Sequence, residues 1–187
     1  MKRLLFWLKV LGIQLVGFVA IIFYEGCCGD TSLPYVEVTA ISLTTSNNLI
    51  GEQDTLKLNV LPADVRFLAK QSGFFQSAYA LSCPMDGDGG PKYKYTKFEI
   101  TSDNDFDTEH PEGAPLNAYF DLLVQYDKRI FNLATTEVDL LANMALDIGS
   151  IVRTTHRPAA PGTHTLSVKI DNEHGTQLLA TLTVTWN

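Results

Sequence analysis

The feature that constrains this chain most lies near its C-terminal end, where apolar residues fall on every second position through two successive runs. In residues 164–171, Leu166, Val168 and Ile170 share one face; in residues 177–186, Leu178, Ala180, Leu182, Val184 and Trp186 do the same. A helix repeats its faces every 3.6 residues and would scatter these groups, whereas a strand collects them on one side. Between the runs stands Asn172-Glu173-His174-Gly175, a turn-forming tetrapeptide whose glycine suits a left-handed backbone. A β-hairpin is therefore predicted here. Residues 158–163, Pro-Ala-Ala-Pro-Gly-Thr, form a rigid bend of the kind that feeds the penultimate strand of an immunoglobulin-like sandwich.

The same period recurs upstream. Residues 55–61 set Leu56, Leu58 and Val60 against Thr55, Lys57 and Asn59. Residues 93–102 set Thr96, Phe98 and Ile100 against Tyr95, Lys97 and Glu99, and residues 35–46 begin with Val36 and Val38 on one face. This is the signature of sheets with one face on a core and one in water. Two stretches depart from it. Leu116, Tyr119, Phe120, Leu123 and Val124 recur at helical spacing, and Val138, Leu141 and Ala145 allow a second short helix behind the caps Thr135 and Thr136. Seven or eight short strands with turn signals between them favour a mainly β fold. The prediction is an immunoglobulin-like β-sandwich over residues 35–187 with one or two short helices. A body of this size buries roughly 68–70% of its unfolded surface, so it needs neither disulfide nor metal to fold.

The other end reads as an address. Lys2 and Arg3 precede residues 4–24, which are apolar apart from Lys9 and Gln14. A cationic start, an apolar stretch and a small residue at the end describe an export signal, the positive end staying in the cytoplasm. Cys27 follows the small Gly26, so the segment resembles a bacterial lipobox, although Tyr24 and Glu25 depart from the usual residues. That resemblance implies cleavage before Cys27 and acylation of its thiol and amine, with Cys28 as the alternative. The other reading is an uncleaved membrane anchor, since 21 residues at 1.5 Å each give about 31 Å, close to a bilayer's hydrocarbon thickness. Either way the body is exported. Residues 1–27 are thus a signal or anchor, 28–34 a tether, and the expected location is the outer membrane through lipid, or the inner membrane with the domain in the periplasm.

Further into the chain, residues 77–83 (SAYALSC) and 98–107 (FEITSDNDFD), then His110-Pro111-Glu112-Gly113 and residues 116–120 (LNAYF), carry a resemblance. They resemble a family of small uncharacterised lipoproteins of the Bacteroidota, and the likeness runs from the lipobox region to the final hairpin. It implies an outer-membrane lipoprotein with a mainly β body and carries over no catalytic residue.

Charge narrows the partners. The chain has 14 Lys and Arg against 21 Asp and Glu, a net charge of −7. Residues 28–187 carry −9 of that charge, and a phosphate backbone needs clustered cations, so nucleic acid is not expected. The acidic residues Asp86 and Asp88, with Asp103, Asp105 and Asp107, alternate as calcium ligands do. Neither run is an EF-hand loop: Pro91 and Lys97 occupy the glycine and bidentate positions of the first, Thr108 and Ala114 those of the second. Turn chemistry accounts for the same residues, and no cofactor is expected. The histidines, His110, His156, His164 and His174, are scattered without metal-ligand spacing; His164 is read as a structural residue pinning a corner, and His156 and His174 as exposed loop residues. No nucleophile motif appears: Gly149-Ser150 is no nucleophile elbow, and Cys83 has no nearby histidine in sequence.

Aromatic residues crowd the middle of the chain: Phe74, Phe75, Tyr79, Tyr93, Tyr95, Tyr119, Phe120 and Tyr126. Aromatics mostly fill cores, but Tyr93 and Tyr95 fall opposite the Phe98 face and are predicted to be exposed, where they could stack on a glycan. The functional expectation is a non-enzymatic envelope lipoprotein that binds a glycan or an envelope protein. The alternative is a fimbrial or adhesin-like subunit that exchanges a strand at its C-terminal hairpin. A metal-dependent hydrolase on the aspartates is the weakest reading, since spacing places no acid, base or nucleophile.

Overall fold

The computed structural model describes residues 35–68, 89–147 and 149–187, with the isolated position 14. Residues 36–66 and 91–187 form one compact unit, and the fold below is that unit's. It comprises strands β1 (Val36–Thr45), β2 (Leu49–Ile50), β3 (Lys57–Phe67), β4 (Tyr95–Ser102), β5 (Phe120–Val124), β6 (Arg129–Asn132), β7 (Ser150–Thr154), β8 (Gly162–Asn172) and β9 (Gln177–Trp186), with one α-helix among the described residues, α1 (Val138–Ala145). The strands build two sheets, ordered β1-β3-β7-β5-β6 and β2-β9-β8-β4. Buried apolar residues of both sheets, among them Leu58, Phe120 and Val152 from the first and Ile100, Leu166 and Trp186 from the second, belong to one core. The fold is mainly β, with two sheets sharing that core.

The C-terminal hairpin follows the alternation. β8 and β9 pair without interruption from Asp171↔Gln177 to Gly162↔Trp186, and Gly175 at the turn adopts φ 87°. Leu166, Val168, Ile170, Leu178, Val184 and Trp186 are buried, with Ala180 and Leu182 packed against them. β8 lies between β4 and β9, whereas β2 pairs with β9 only at Thr185 and Trp186. Leu56, Leu58 and Val60 likewise turn inward as their spacing requires.

One helical reading is corrected and the other holds. The stretch from Leu116 to Val124 is not a helix: Asn117–Tyr119 makes a single 3-10 turn and the chain then extends into β5. Phe120, Leu122 and Val124 carry a period-two pattern that the helical spacing obscured, and Asp121 on the other face lies 3.7 Å from Arg153 of β7. In β5 the alternating residues face the core while pairing with both β6 and β7 supplies the backbone bonds that a helix would have made internally. The second helix forms as α1, burying Leu141, Ala142 and Ala145. Its cap is Glu137 rather than Thr135 or Thr136: the carboxylate accepts the N–H of Asp139 at 3.2 Å and of Leu140 at 2.9 Å.

His164 on β8 is structural in its surroundings. It is 4% exposed, its Nδ1 lies 2.8 Å from the Ser102 hydroxyl at the end of β4, and its ring meets Trp186 edge-on at 5.1 Å. Burial holds the imidazole below its ordinary range, against the opposing pull of the Asp103 carboxylate. The unfolded chain therefore takes up this proton at higher pH than the folded chain. The stability that His164 contributes is complete above about pH 6.5 and is lost as pH falls below it, at no more than about 1.4 kcal/mol per pH unit. Denaturant unfolding between about pH 7 and pH 5 is expected to show that slope. The paired change Ser102→Ala with His164→Leu, which removes the titration without stranding the hydroxyl, is expected to flatten it; an unchanged slope would assign the loss to other groups.

Candidate binding cleft

The two tyrosines singled out from sequence line one cleft, but they reach it in different ways. The register of β4 against β8 slips between Tyr95 and Lys97, so that Tyr95 opposes Asn172 and Lys97 opposes Asp171. Thr96 is the extra, exposed residue of this bulge. A bulge reverses which face the preceding side chain takes. Tyr95 is accordingly 5% exposed, on the same side as Phe98 and Ile100, and the predicted exposure of its ring is corrected. Tyr93 is half-buried, with its ring stacked on His174 at 4.4 Å and 4° and the Lys92 ammonium 5.4 Å from its centre.

Helix α1 holds this region to the sheet. Asp139 in its first turn accepts the N–H of Tyr95 at 2.8 Å and the Asn143 side-chain amide at 3.2 Å, while the same amide nitrogen donates to the Asp139 carbonyl at 2.7 Å. That pairing fixes which way the Asn143 amide points and leaves its carbonyl oxygen buried without a hydrogen-bond partner among the described residues. Burial first, then the charges of Asp139 and Glu37, push the Tyr95 phenol up to about 12, so it stays protonated throughout the physiological range. On the other side, Lys92 N–H donates to the Val36 carbonyl at 2.9 Å, and Lys94 and Glu173 exchange bonds at the tip of the β8–β9 hairpin.

The cleft between these elements has a volume of about 700 Å³, within the roughly 300–1,000 Å³ usual for small-molecule sites. Val36 and Val38 of β1 and Pro62 and Val65 of β3 line one part of it, Met144 and Leu146 at the end of α1 another, and Lys92 to Tyr95 with Asp139 the remainder. Beside it, Glu37 on β1 is buried to 6% exposure, and its carboxylate is held by the Arg66 guanidinium and, at 3.3 Å, by the Thr176 hydroxyl. Nothing in the alternation of β1 announces this residue, because a glutamate between two valines reads as a solvent position.

The aspartates resolve into turn and ladder groups where they are described. Asp103 Oδ1 accepts the Thr165 N–H at 2.6 Å, extending the β4–β8 pairing by one residue, and Asp105 Oδ1 accepts the Glu112 N–H at 2.8 Å. Asp107 Oδ1 accepts the N–H of Glu109 and of His110, each at 2.8 Å, and lies 2.9 Å from His110 Nδ1. That imidazole bond, outweighing burial, holds the Asp107 carboxyl well below the usual range. Among the described residues no group of three or more His, Cys, Asp or Glu side chains is placed to hold a metal ion. The calcium candidates Asp86 and Asp88 lie outside the described residues, as do Cys27, Cys28, Cys83, Phe74, Phe75 and Tyr79.

The loop that carries these aspartates also anchors in the core. Phe106 is fully buried, and next to it Tyr119 packs between His110 at 4.5 Å and His156 at 4.4 Å. This aromatic cluster was not legible from sequence, because its four members come from three separate loops or turns. No described helix is long and apolar enough to cross a membrane, and residues 4–13 and 15–24 lie outside the described residues. The chain matches no protein-family model and no curated protein.

Proposed function

We propose that this chain is an exported, membrane-tethered envelope protein whose β domain, an immunoglobulin-like sandwich, serves as a non-enzymatic binding module. The observation that carries the reading is the cleft beside α1: a concave, largely apolar site with a few polar groups at its margin is the usual form of a small-molecule site. The described aspartates Asp103, Asp105 and Asp107, by contrast, each spend Oδ1 on backbone N–H groups, which favours binding over metal-assisted hydrolysis. The tether rests on the N-terminal pattern, cationic start, apolar stretch and Gly26-Cys27, and the sandwich on two sheets that share one core and end in a long hairpin. Uncharacterised lipoproteins of the Bacteroidota remain the family this reading points to.

The test is the mass of the N-terminal peptide from membrane-extracted protein, beside a Cys27→Ala variant. The expected peptide begins at Cys27, carries acyl mass, and disappears in the variant. A peptide beginning at Met1 would replace the lipid tether with a membrane-spanning anchor, and one beginning at an unmodified residue after Cys28 would remove the tether altogether.

A further inference from the structure

We infer that the cleft takes a long-chain carboxylate, with the acyl chain against its apolar walls and the carboxylate at Lys92 and Lys94. The inference rests on the cleft being a binding site and adds the chemistry of its ligand. Tyr95 decides against a sugar platform. Two exposed rings would offer stacking faces to a pyranose, but the bulge at Thr96 turns the Tyr95 ring into the core and His174 covers one face of Tyr93. A sugar inside the cleft could place one hydroxyl on the Asn143 carbonyl oxygen, but its others would lie against Val36, Val38, Val65, Met144 and Leu146, none of which can bond them. Each hydroxyl buried without a partner costs on the order of 1–3 kcal/mol. Methylene groups meet no such penalty on the same walls.

The charge at the margin is complementary to one kind of head group. Lys92 and Lys94 are exposed, line the cleft, and stand two residues apart on either side of Tyr93. The long stems of lysine lie along apolar surface while the ammonium reaches water, and a tyrosine between them suits a boundary between apolar and aqueous regions. Two carboxylates share the cleft. Asp139 is committed to the Tyr95 N–H and the Asn143 amide, and Asp147 stands exposed beyond the end of α1. A third carboxylate, Glu173, accepts the backbone N–H of Lys94 at 3.2 Å from outside the cleft lining; the ammonium groups of Lys92 and Lys94 are the cations at the end formed by residues 92–95, where an anionic head would meet them.

The test uses the full chain in its native membranes with two photoactivatable probes, a diazirine-bearing long-chain fatty acid and a glucoside of the same diazirine-bearing chain. The fatty acid is expected to label peptides containing Val36, Val65 or Met144, saturably and in competition with decanoate. The exposed change Lys92→Glu with Lys94→Glu is expected to reduce that labelling about tenfold, the factor carried by about 1.4 kcal/mol. Val65→Trp, which fills the cleft, is expected to abolish it. Equal labelling by the glucoside with no effect of the lysine changes would overturn the carboxylate while leaving the cleft a binding site. Labelling untouched by Val65→Trp, or none in these peptides, would overturn the assignment of the ligand to the cleft. Neither result touches the tether, which the N-terminal mass decides separately.

Discussion

Trp186→Ala is expected to lower the unfolding free energy by about 3–5 kcal/mol, a large share of the roughly 5–15 kcal/mol that holds a domain of this kind together. The position is the last of β9, and the ends of elements are where fraying is common. It is in fact 1% exposed. Its ring stands edge-on to Phe106 at 6.0 Å and to His164 at 5.1 Å, so one side chain joins β9, β8 and the loop after β4. The backbone around it is equally committed: Trp186 pairs with Gly162 of β8 and with Ile50 of β2, and Asn187 N–H donates to the Ile50 carbonyl at 3.0 Å. Truncation leaves an indole-sized cavity beside the Phe106 and His164 rings, and the strand pairing of β8 and β9 keeps it from closing fully. Trp186→Phe is expected to cost much less, because the indole Nε1 is buried without a hydrogen-bond partner among the described residues and its removal strands none of them. Urea unfolding followed by far-ultraviolet circular dichroism measures both variants. A loss below about 1 kcal/mol for the alanine would mean that the last strand frays in solution and contributes little to the core.

What the sequence made legible divides along a physical line. Strands whose core face is built from consecutive alternating apolar residues, β8, β9 and the start of β3, were readable because burial alone decides their faces. Helix α1 was readable for the same reason at its own period. The misreadings arise where backbone geometry overrides the period. A bulge at Thr96 shifts Tyr95 inward although the residues on either side obey the alternation, and no residue type marks a bulge of this kind. In β5, Leu116 and Tyr119 belong to a turn rather than to the strand, and adding them to Phe120, Leu123 and Val124 manufactured a helical period. The cleft was half legible. Its tyrosines were picked out, but for exposure that only one of them has in part, and its walls come from β1, β3 and α1, which no local pattern brings together. Phe106 was hidden by its neighbours: a phenylalanine among four acidic or amide residues reads as loop, yet it is the loop's anchor.

Asn117→Ala is expected to cost about 2–4 kcal/mol and to make the protein self-associate, since it strips two bonds from a sheet edge that no strand covers. β4 ends its sheet, so one side of its backbone has no strand to pair with. The chain satisfies that side piecemeal. Asp139 takes the N–H of Tyr95, Leu116 N–H donates to the Ile100 carbonyl at 2.7 Å, and Gly113 N–H donates to the Ser102 carbonyl at 2.8 Å. Between them the Asn117 amide does what a neighbouring strand would do: its oxygen accepts the Ile100 N–H at 3.0 Å and its nitrogen donates to the Phe98 carbonyl at 2.7 Å. Only a carboxamide offers a donor and an acceptor at that spacing, so Asp and Leu are both expected to fail where Gln is too long to fit without moving the turn. Alanine leaves a partly buried N–H and C=O unpaired, each costing on the order of 1–3 kcal/mol, with some of it recovered if water enters. The edge so exposed offers the Phe98 carbonyl and the Ile100 N–H, and a second chain can add to it as a strand. Sedimentation velocity across a concentration series, run beside urea unfolding, separates the two effects. A variant that loses stability but stays monomeric would show that the remaining bonds from Asp139, Leu116 and Gly113 suffice to close the edge. One that keeps its stability would show that water replaces the amide at little cost, and that the asparagine is there for the shape of the turn.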